Sequence, residues 1–304
     1  MRVDEKRTTW LHRYALLTAV ATFLLVAAGA LVKSQEAGLA VPDWPLSFGQ
    51  LMPPMEGGVL YEHGHRMIGA LVGLLTVGLT VWLWRSAVPR WLKRLGLAAS
   101  IAVIVQGVLG GLTVLLKLPP AISISHAMLA QLFFSAIVII VRATSAEWSV
   151  APEPMEDTGT PPLKLLAWLG PPAIVVQLLL GAAYRHKVLG IVPHIAGALA
   201  VAALIFMTGI AALGLASGDK PLARDARRLL WLTGIQIVLG IAAYLSRILL
   251  DEASQPHPWM VTFTVAHVAV GALVLATSFV LAAETERTVR RAPAASAQGL
   301  KTAG

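Results

Sequence analysis

Eight apolar runs, each long enough to cross a bilayer, constrain this chain more than any other feature. They read at about residues 14–32, 66–84, 95–116, 121–141, 164–184, 191–213, 229–249 and 261–283, separated by charged or Pro- and Gly-containing stretches. A spanning helix needs about 20 apolar residues. In lipid every backbone N–H and C=O must be satisfied within the protein, which leaves helices or a closed barrel, and runs of this length select helices. Composition agrees: 57% of the 304 residues are hydrophobic and 13% are charged, against about 25% charged in a soluble domain. The expected fold is an all-α integral membrane protein with eight transmembrane helices.

Arg2, Lys6, Arg7 and Arg13 precede the first run, which is longer than a signal-peptide core and is therefore expected to stay as a span. With a cytoplasmic N-terminus, Lys33, Arg66, Lys117, Arg185, Lys187 and Arg247 fall outside and the other eighteen of the 24 Lys and Arg residues fall inside. That bias predicts a multi-pass protein of a bacterial-type plasma membrane with both termini cytoplasmic. It also accounts for the net charge of +8 without nucleic acid. The absence of cysteine excludes disulfides, thiolate-bound metal and iron–sulfur clusters.

An acidic, Pro-containing inner loop at 143–163 divides the chain into an N-terminal four-helix bundle, 1–142, and a C-terminal one, 164–284. An outer loop occupies about 33–64, and the polar, Ala-rich tail 285–304 is expected to be disordered. The two halves read as pseudo-repeats. Gln106 to Gly110 in the third run returns as Gln236 to Gly240 in the seventh, and Gln177 with Gly181 keeps the spacing in the fifth. His65, His126, His194 and His267 each stand near the outer start of an even-numbered span. One turn after each comes a small residue: Gly69, Ala130, Ala198 and Gly271. An imidazole beside a gap is what a flat macrocycle needs to lie against a helix; small residues also serve helix packing alone.

Ionisable groups inside spans are costly and mark sites. Within each half the two histidines are two spans apart and can face each other across a bundle core. Two imidazoles without a third protein ligand suit six-coordinate haem iron better than zinc. Two haem sites follow, one per half: His65 with His126, and His194 with His267. Only the first has a neighbouring carboxylate, Glu62, able to act as general base or relay. Arg66 can neutralise a haem propionate or snorkel at the interface, and Arg185, Lys187 and Arg247 share that choice. His12 and His257 fall in interfacial or loop positions, His63 and His186 near the outer sites.

Glu62-His63-Gly64-His65-Arg66 resembles the Glu-x-x-His-Arg signature of the haem A synthase family, and residues 38–46, from Gly38 through Pro42-Asp43-Trp44-Pro45 to Leu46, resemble that family's first outer loop. The resemblance implies oxidation of a ring methyl of haem O to a formyl group by successive hydroxylations, giving haem A for haem-copper oxidases. It implies haem O bound by His65 and His126 beside catalytic Glu62, and haem b as cofactor on His194 and His267. It also implies an electron acceptor, and haem O synthase as a candidate supplier of substrate. Val41 and Ser47 stand where many members carry a loop cysteine pair, which removes any thiol relay here. Two other readings use the same features: a di-haem b-type cytochrome that only relays electrons, for instance with quinone, and a transporter built on a duplicated bundle.

Overall fold

A computed structural model of the chain describes residues 2–292 apart from 217, 219 and 251. Eight long helices carry the eight apolar runs, and all eight are long and apolar enough to cross a membrane. They are α1 (Arg2–Ser34), α2 (Gly57–Trp84), α3 (Arg90–Leu115), α4 (Pro120–Ala143), α6 (Leu163–Arg185), α7 (Ile191–Leu215), α8 (Pro221–Leu249) and α9 (Pro258–Thr288). The protein is an all-α integral membrane protein, as its composition requires. Large side chains such as Leu74, Leu199 and Trp231 lie exposed along the spans, where lipid rather than water is their solvent.

Each half closes into a ring of four. α1, α2, α3 and α4 touch in sequence and α4 returns to α1; α6, α7, α8 and α9 do the same. The rings meet through α4 against α9, flanked by α1 on α9 and α4 on α6, the pairing expected when α1 corresponds to α6 and α4 to α9. Phe23, Val26 and Phe134 pack with Ala272 and Ala276 across that seam. α9 therefore touches both rings, and 56% of its apolar window is buried against at most 39% in the other spans.

At the end of the bundle opposite the four histidines, charged side chains join the halves. Arg142 of α4 bonds Glu284 of α9 at 3.0 Å and also pairs with Glu147, which Arg224 of α8 holds from the other side. Arg287 lies over the Trp148 ring at 3.8 Å and donates to the carbonyls of Trp148 and Val150. The linker is not featureless: it forms a short helix α5 (Ala146–Ser149) and a strand β1 (Met155–Asp157). The tail differs from its expected disorder as far as 292. α9 runs on to Thr288, and β2 (Val289–Arg291) pairs in parallel with β1 because the linker offers it an unpaired edge. The remainder of the tail, 293–304, lies outside the described residues.

Candidate functional site

The histidines occupy four copies of one packing unit. In each, an imidazole lies on a glycine of the preceding helix: His65 on Gly29, His126 on Gly110, His194 on Gly181 and His267 on Gly240. A Cβ on those glycines would stand 3.0, 3.5, 2.8 and 2.9 Å from the respective ring Cε1. The contacts at Gly181 and Gly240 are too short for a methyl group and the one at Gly29 is tight, so glycine is what lets these rings reach the helix backbone.

The residue one turn before the glycine completes the unit. Gln106 donates to the carbonyl of His126 at 3.1 Å, Gln177 to the carbonyl of His194 at 2.8 Å, and the Gln236 amide sits 3.3 Å from His267 Nε2. The first copy has Leu25 there, with no amide to offer. One turn after His65 and His267, a Cβ on Gly69 would stand 3.9 Å from Leu25 and one on Gly271 3.2 Å from Gln236. Side chains in a helix lean toward its N-terminus, so a gap at i+4 opens beside the neighbouring helix.

Within each ring the histidines come from opposite helices, α2 and α4 or α7 and α9. The rings of His194 and His267 have centroids 6.3 Å apart with planes at 85°. A metal–nitrogen bond of about 2.0–2.1 Å on each side, plus the half-width of two imidazoles, puts in-line rings on one metal about 6.4 Å apart. The spacing would let both imidazoles reach one metal. His65 and His126 are close enough to interact electrostatically. The Nδ1 atoms of His65, His126 and His267 are buried and turned to the backbone of the cradling helix, at Leu25, Gln106 and Gln236 respectively. Among the described residues no three His, Asp or Glu side chains gather around one point that could hold a metal. A pair of imidazoles leaves a bare ion under-coordinated, whereas a porphyrin supplies the other four donors.

The first pair has an added cover. α2 begins nine residues before the apolar run does, so Glu62, His63, His65 and Arg66 all lie on its first turns. Glu62 is 4% exposed. Its Oε2 accepts the N–H of Val41 at 2.9 Å and its Oε1 accepts from Arg66 at 2.6 Å. Arg66, expected at a propionate, directs its guanidinium to Glu62, to the carbonyls of Asp43 and Leu46 at 2.8 and 3.0 Å, and to Ser47 Oγ at 3.3 Å. Ser47 Oγ also bonds His63 Nδ1 at 2.7 Å. Val41 and Ser47, the two positions read against the family's cysteines, are thus the two bolts of the loop, both fully buried.

Trp44, between them, packs on Gly111 of α3, where a Cβ would meet the indole at 2.6 Å. Adjacent glycines on α3 therefore serve the lid and the His126 ring in turn. In the second half only residues 186–190 join α6 to α7, too few to build such a cover. Two of the remaining histidines have structural partners: His12 bonds the Val141 carbonyl at 3.1 Å, and His257 Nδ1 accepts the Trp259 N–H at the start of α9.

Asp43 shapes the lid's turn by accepting the backbone N–H groups of Gly49 and Phe48, which hold its carboxyl below the usual carboxylate range. Because the folded value is the lower one, this contribution is present above the ordinary carboxylate pKa and is lost as pH falls through the folded value. Hydrogen–deuterium exchange over 43–50, corrected for intrinsic pH effects, is expected to show the turn loosening in acid. Asp43→Asn is expected to remove that pH dependence.

The fold and these sites define a class: a polytopic membrane protein whose bundle cores present opposed histidine pairs. Residues 56–193 match the model of the COX15-CtaA family, described as cytochrome oxidase assembly protein. Proteins named haem A synthase are similar to the chain. That of Symbiobacterium thermophilum is 30% identical over 181 residues, 58% of this chain and 59% of its own. That of Shewanella oneidensis is 29% identical over 191 residues, 57% and 55% of the two chains, and that of Ruegeria pomeroyi 36% over 149 residues, 45% and 36%. The chain spans about half the length of the curated relatives it matches. The matched segment, 56–193, is less than half of the chain. It contains Glu62, His65, Arg66 and His126 and stops one residue before His194.

Proposed function

We propose that this protein is a haem A synthase, an oxidoreductase that converts the ring methyl of haem O to the formyl group of haem A. The observation that carries the reading is the coincidence, inside the family segment, of Glu62 and Arg66 with the opposed His65 and His126 beneath a latched lid. His65 and His126 hold substrate haem O; His194 and His267 hold a haem b. When bound, that haem supplies one-electron redox chemistry. The protein supplies position and electrostatics. The glycine cradles fix the imidazoles, Trp44 and the loop 41–47 cover the first pair, and Glu62 takes up protons as the methyl carbon gains oxygen and gives its electrons to an external acceptor. Arg66 is the counter-ion that holds Glu62 at the mouth, and its release from the loop would free it for a propionate. In the membrane the histidine ends face outward and both termini lie in the cytoplasm, with haem O delivered by the haem O synthase reaction.

Haem extracted from protein expressed with a haem O supply tests this directly. Haem b together with haem O or haem A is the expected result. Haem b alone, in both sites, overturns it in favour of a di-haem electron-relay cytochrome. Gly240→Ala is a second check. The added methyl meets the His267 ring at 2.9 Å, an overpacking cost of about 1–3 kcal/mol, and is expected to displace the ligand and deplete the second haem. Gly234→Ala on the same helix, with nothing within 4 Å, is expected to leave the absorption spectrum unchanged.

A further inference from the structure

Two arginines stand at the histidine end of the second bundle with no carboxylate partner among the described residues. Arg185 lies in the last turn of α6 and Arg247 in the last turn of α8. Each follows the glycine that cradles a histidine, Arg185 by four residues from Gly181 and Arg247 by seven from Gly240. The two charges are near enough to act on each other, and Arg185 also acts on His267. Arg185 donates through one terminal nitrogen to the Ala30 carbonyl at 2.9 Å and to Ser34 Oγ at 2.6 Å, both neutral acceptors on α1. Arg247 lies 5.7 Å from the Tyr184 ring. Neither forms an ion pair among the described residues.

Lys33 adds its charge to the same place. Burial, followed by the charges of Lys33 and Arg185, pushes the His186 imidazole down to about 4. Glu36 acts on Lys33 against Arg185 and Lys187, so among the described residues positive charge predominates at the mouth. Each arginine ends a helix, where a cation is favoured, and the two share one mouth although like charges repel.

The arrangement of the ring of helices gives the convergence a purpose. The histidines occupy the α7–α9 diagonal, and a macrocycle held on two opposed axial ligands stands across the line that joins them. Its edges therefore lie along the other diagonal, toward α6 and α8. We propose that Arg185 and Arg247 form an anion cradle for the two carboxylates of a porphyrin seated between His194 and His267, one arginine to each. This rests on the haem reading of the second bundle given above.

The first half carries the same two positions with a different residue. Lys33 follows Gly29 by four and Lys117 follows Gly110 by seven. Arginine offers a planar, pre-organised fork for a carboxylate, and lysine a mobile point charge. The fork is placed where the group stays, and the mobile charge where the group must enter and leave.

The test uses the full-length chain carrying His65→Ala, so that only the second pair retains both ligands, purified from haem-deficient cells. It is titrated with ferric protoporphyrin IX and with its dimethyl ester, following the low-spin bis-imidazole absorption. The parent is expected to prefer the diacid by about a hundredfold, and Arg185→Gln and Arg247→Gln each to cut that preference about tenfold while binding the ester unchanged. Equal affinity of the parent for both probes, or variants that weaken both probes alike, overturns the cradle but leaves the haem site standing. A parent that gives no low-spin species with either probe overturns the second-bundle haem reading and the cradle with it. Arg247→Gln breaks no bond to α1 and so remains decisive if Arg185→Gln does not fold.

Discussion

Glu62→Gln is expected to leave both haem groups in place and to slow formation of haem A from haem O by at least about a hundredfold, the lower bound for loss of a positioned general base. The substitution keeps the shape of the side chain, and a glutamine oxygen can still accept the Val41 N–H that Glu62 accepts at 2.9 Å. It removes two things: a site that takes up a proton, and the ion pair to Arg66 at 2.6 Å. The second loss could act through the lid alone, so Arg66→Gln is the companion measurement. It also breaks the ion pair and loosens the carbonyls of Asp43 and Leu46, but keeps the carboxylate. If Glu62 is the proton acceptor, Glu62→Gln lowers the turnover number far more than Arg66→Gln does. If the two variants fall together, with the lid more open to exchange in both, Glu62 is an anchor and not a base. Undiminished haem A formation in Glu62→Gln refutes the catalytic assignment outright.

That geometry bears on the missing cysteines. A loop that covers a reacting centre must be held down between turnovers and let go for substrate to enter. Here the hold is polar. Val41 is tied through its N–H to Glu62, and Ser47 through its hydroxyl to His63 and Arg66. Exposed bonds of this kind contribute little each, but these are buried against α2, where an unmade bond costs about 1–3 kcal/mol. Arg66 adds to both ties, because four of its acceptors lie on the loop: the carbonyls of Val41, Asp43 and Leu46 and the Ser47 hydroxyl. A cover of this design is tight without any covalent closure.

Much of this was legible before folding, for reasons of periodicity and solvent. Long apolar runs have few alternatives in lipid, so the eight spans read directly, and four histidines at equivalent starts of spans pointed to paired sites. What sequence could not give depends on contacts between helices. Gly29 looked like part of a small-residue triplet at the end of the first run, yet it cradles His65 just as Gly110, Gly181 and Gly240 cradle their histidines. Its signal was hidden because Leu25 replaces the glutamine that marks the other copies. The start of α2 at Gly57 was obscured because its first three turns carry Glu62, His63 and Arg66, polar residues that the folded loop, not lipid, satisfies. The pairing of β1 with β2 joins residues 155–157 to 289–291, a separation no local pattern reports.

Removing a single ligand should separate the two bundles more sharply than any other change. His267→Ala is expected to yield protein with one haem in place of two, the low-spin signature of the second site gone and substrate haem still bound by the first pair. His65→Ala should do the reverse, abolishing haem O binding and turnover while keeping haem b. Independence is expected because the pairs sit in separate rings: α2 and α4 carry one, α7 and α9 the other, and the seam between rings is packed by Val26, Phe134, Ala272 and Ala276, not by the ligands. Deleting the His267 ring also leaves a space of its own shape against Gly240, where the ring had lain, so added imidazole is expected to restore the low-spin absorption of His267→Ala. Haem content per chain and the optical spectrum with and without imidazole measure both effects. Two haems per chain in His267→Ala would mean that 6.3 Å between the rings of His194 and His267 reflects helix packing alone, and the second site would have to be sought elsewhere.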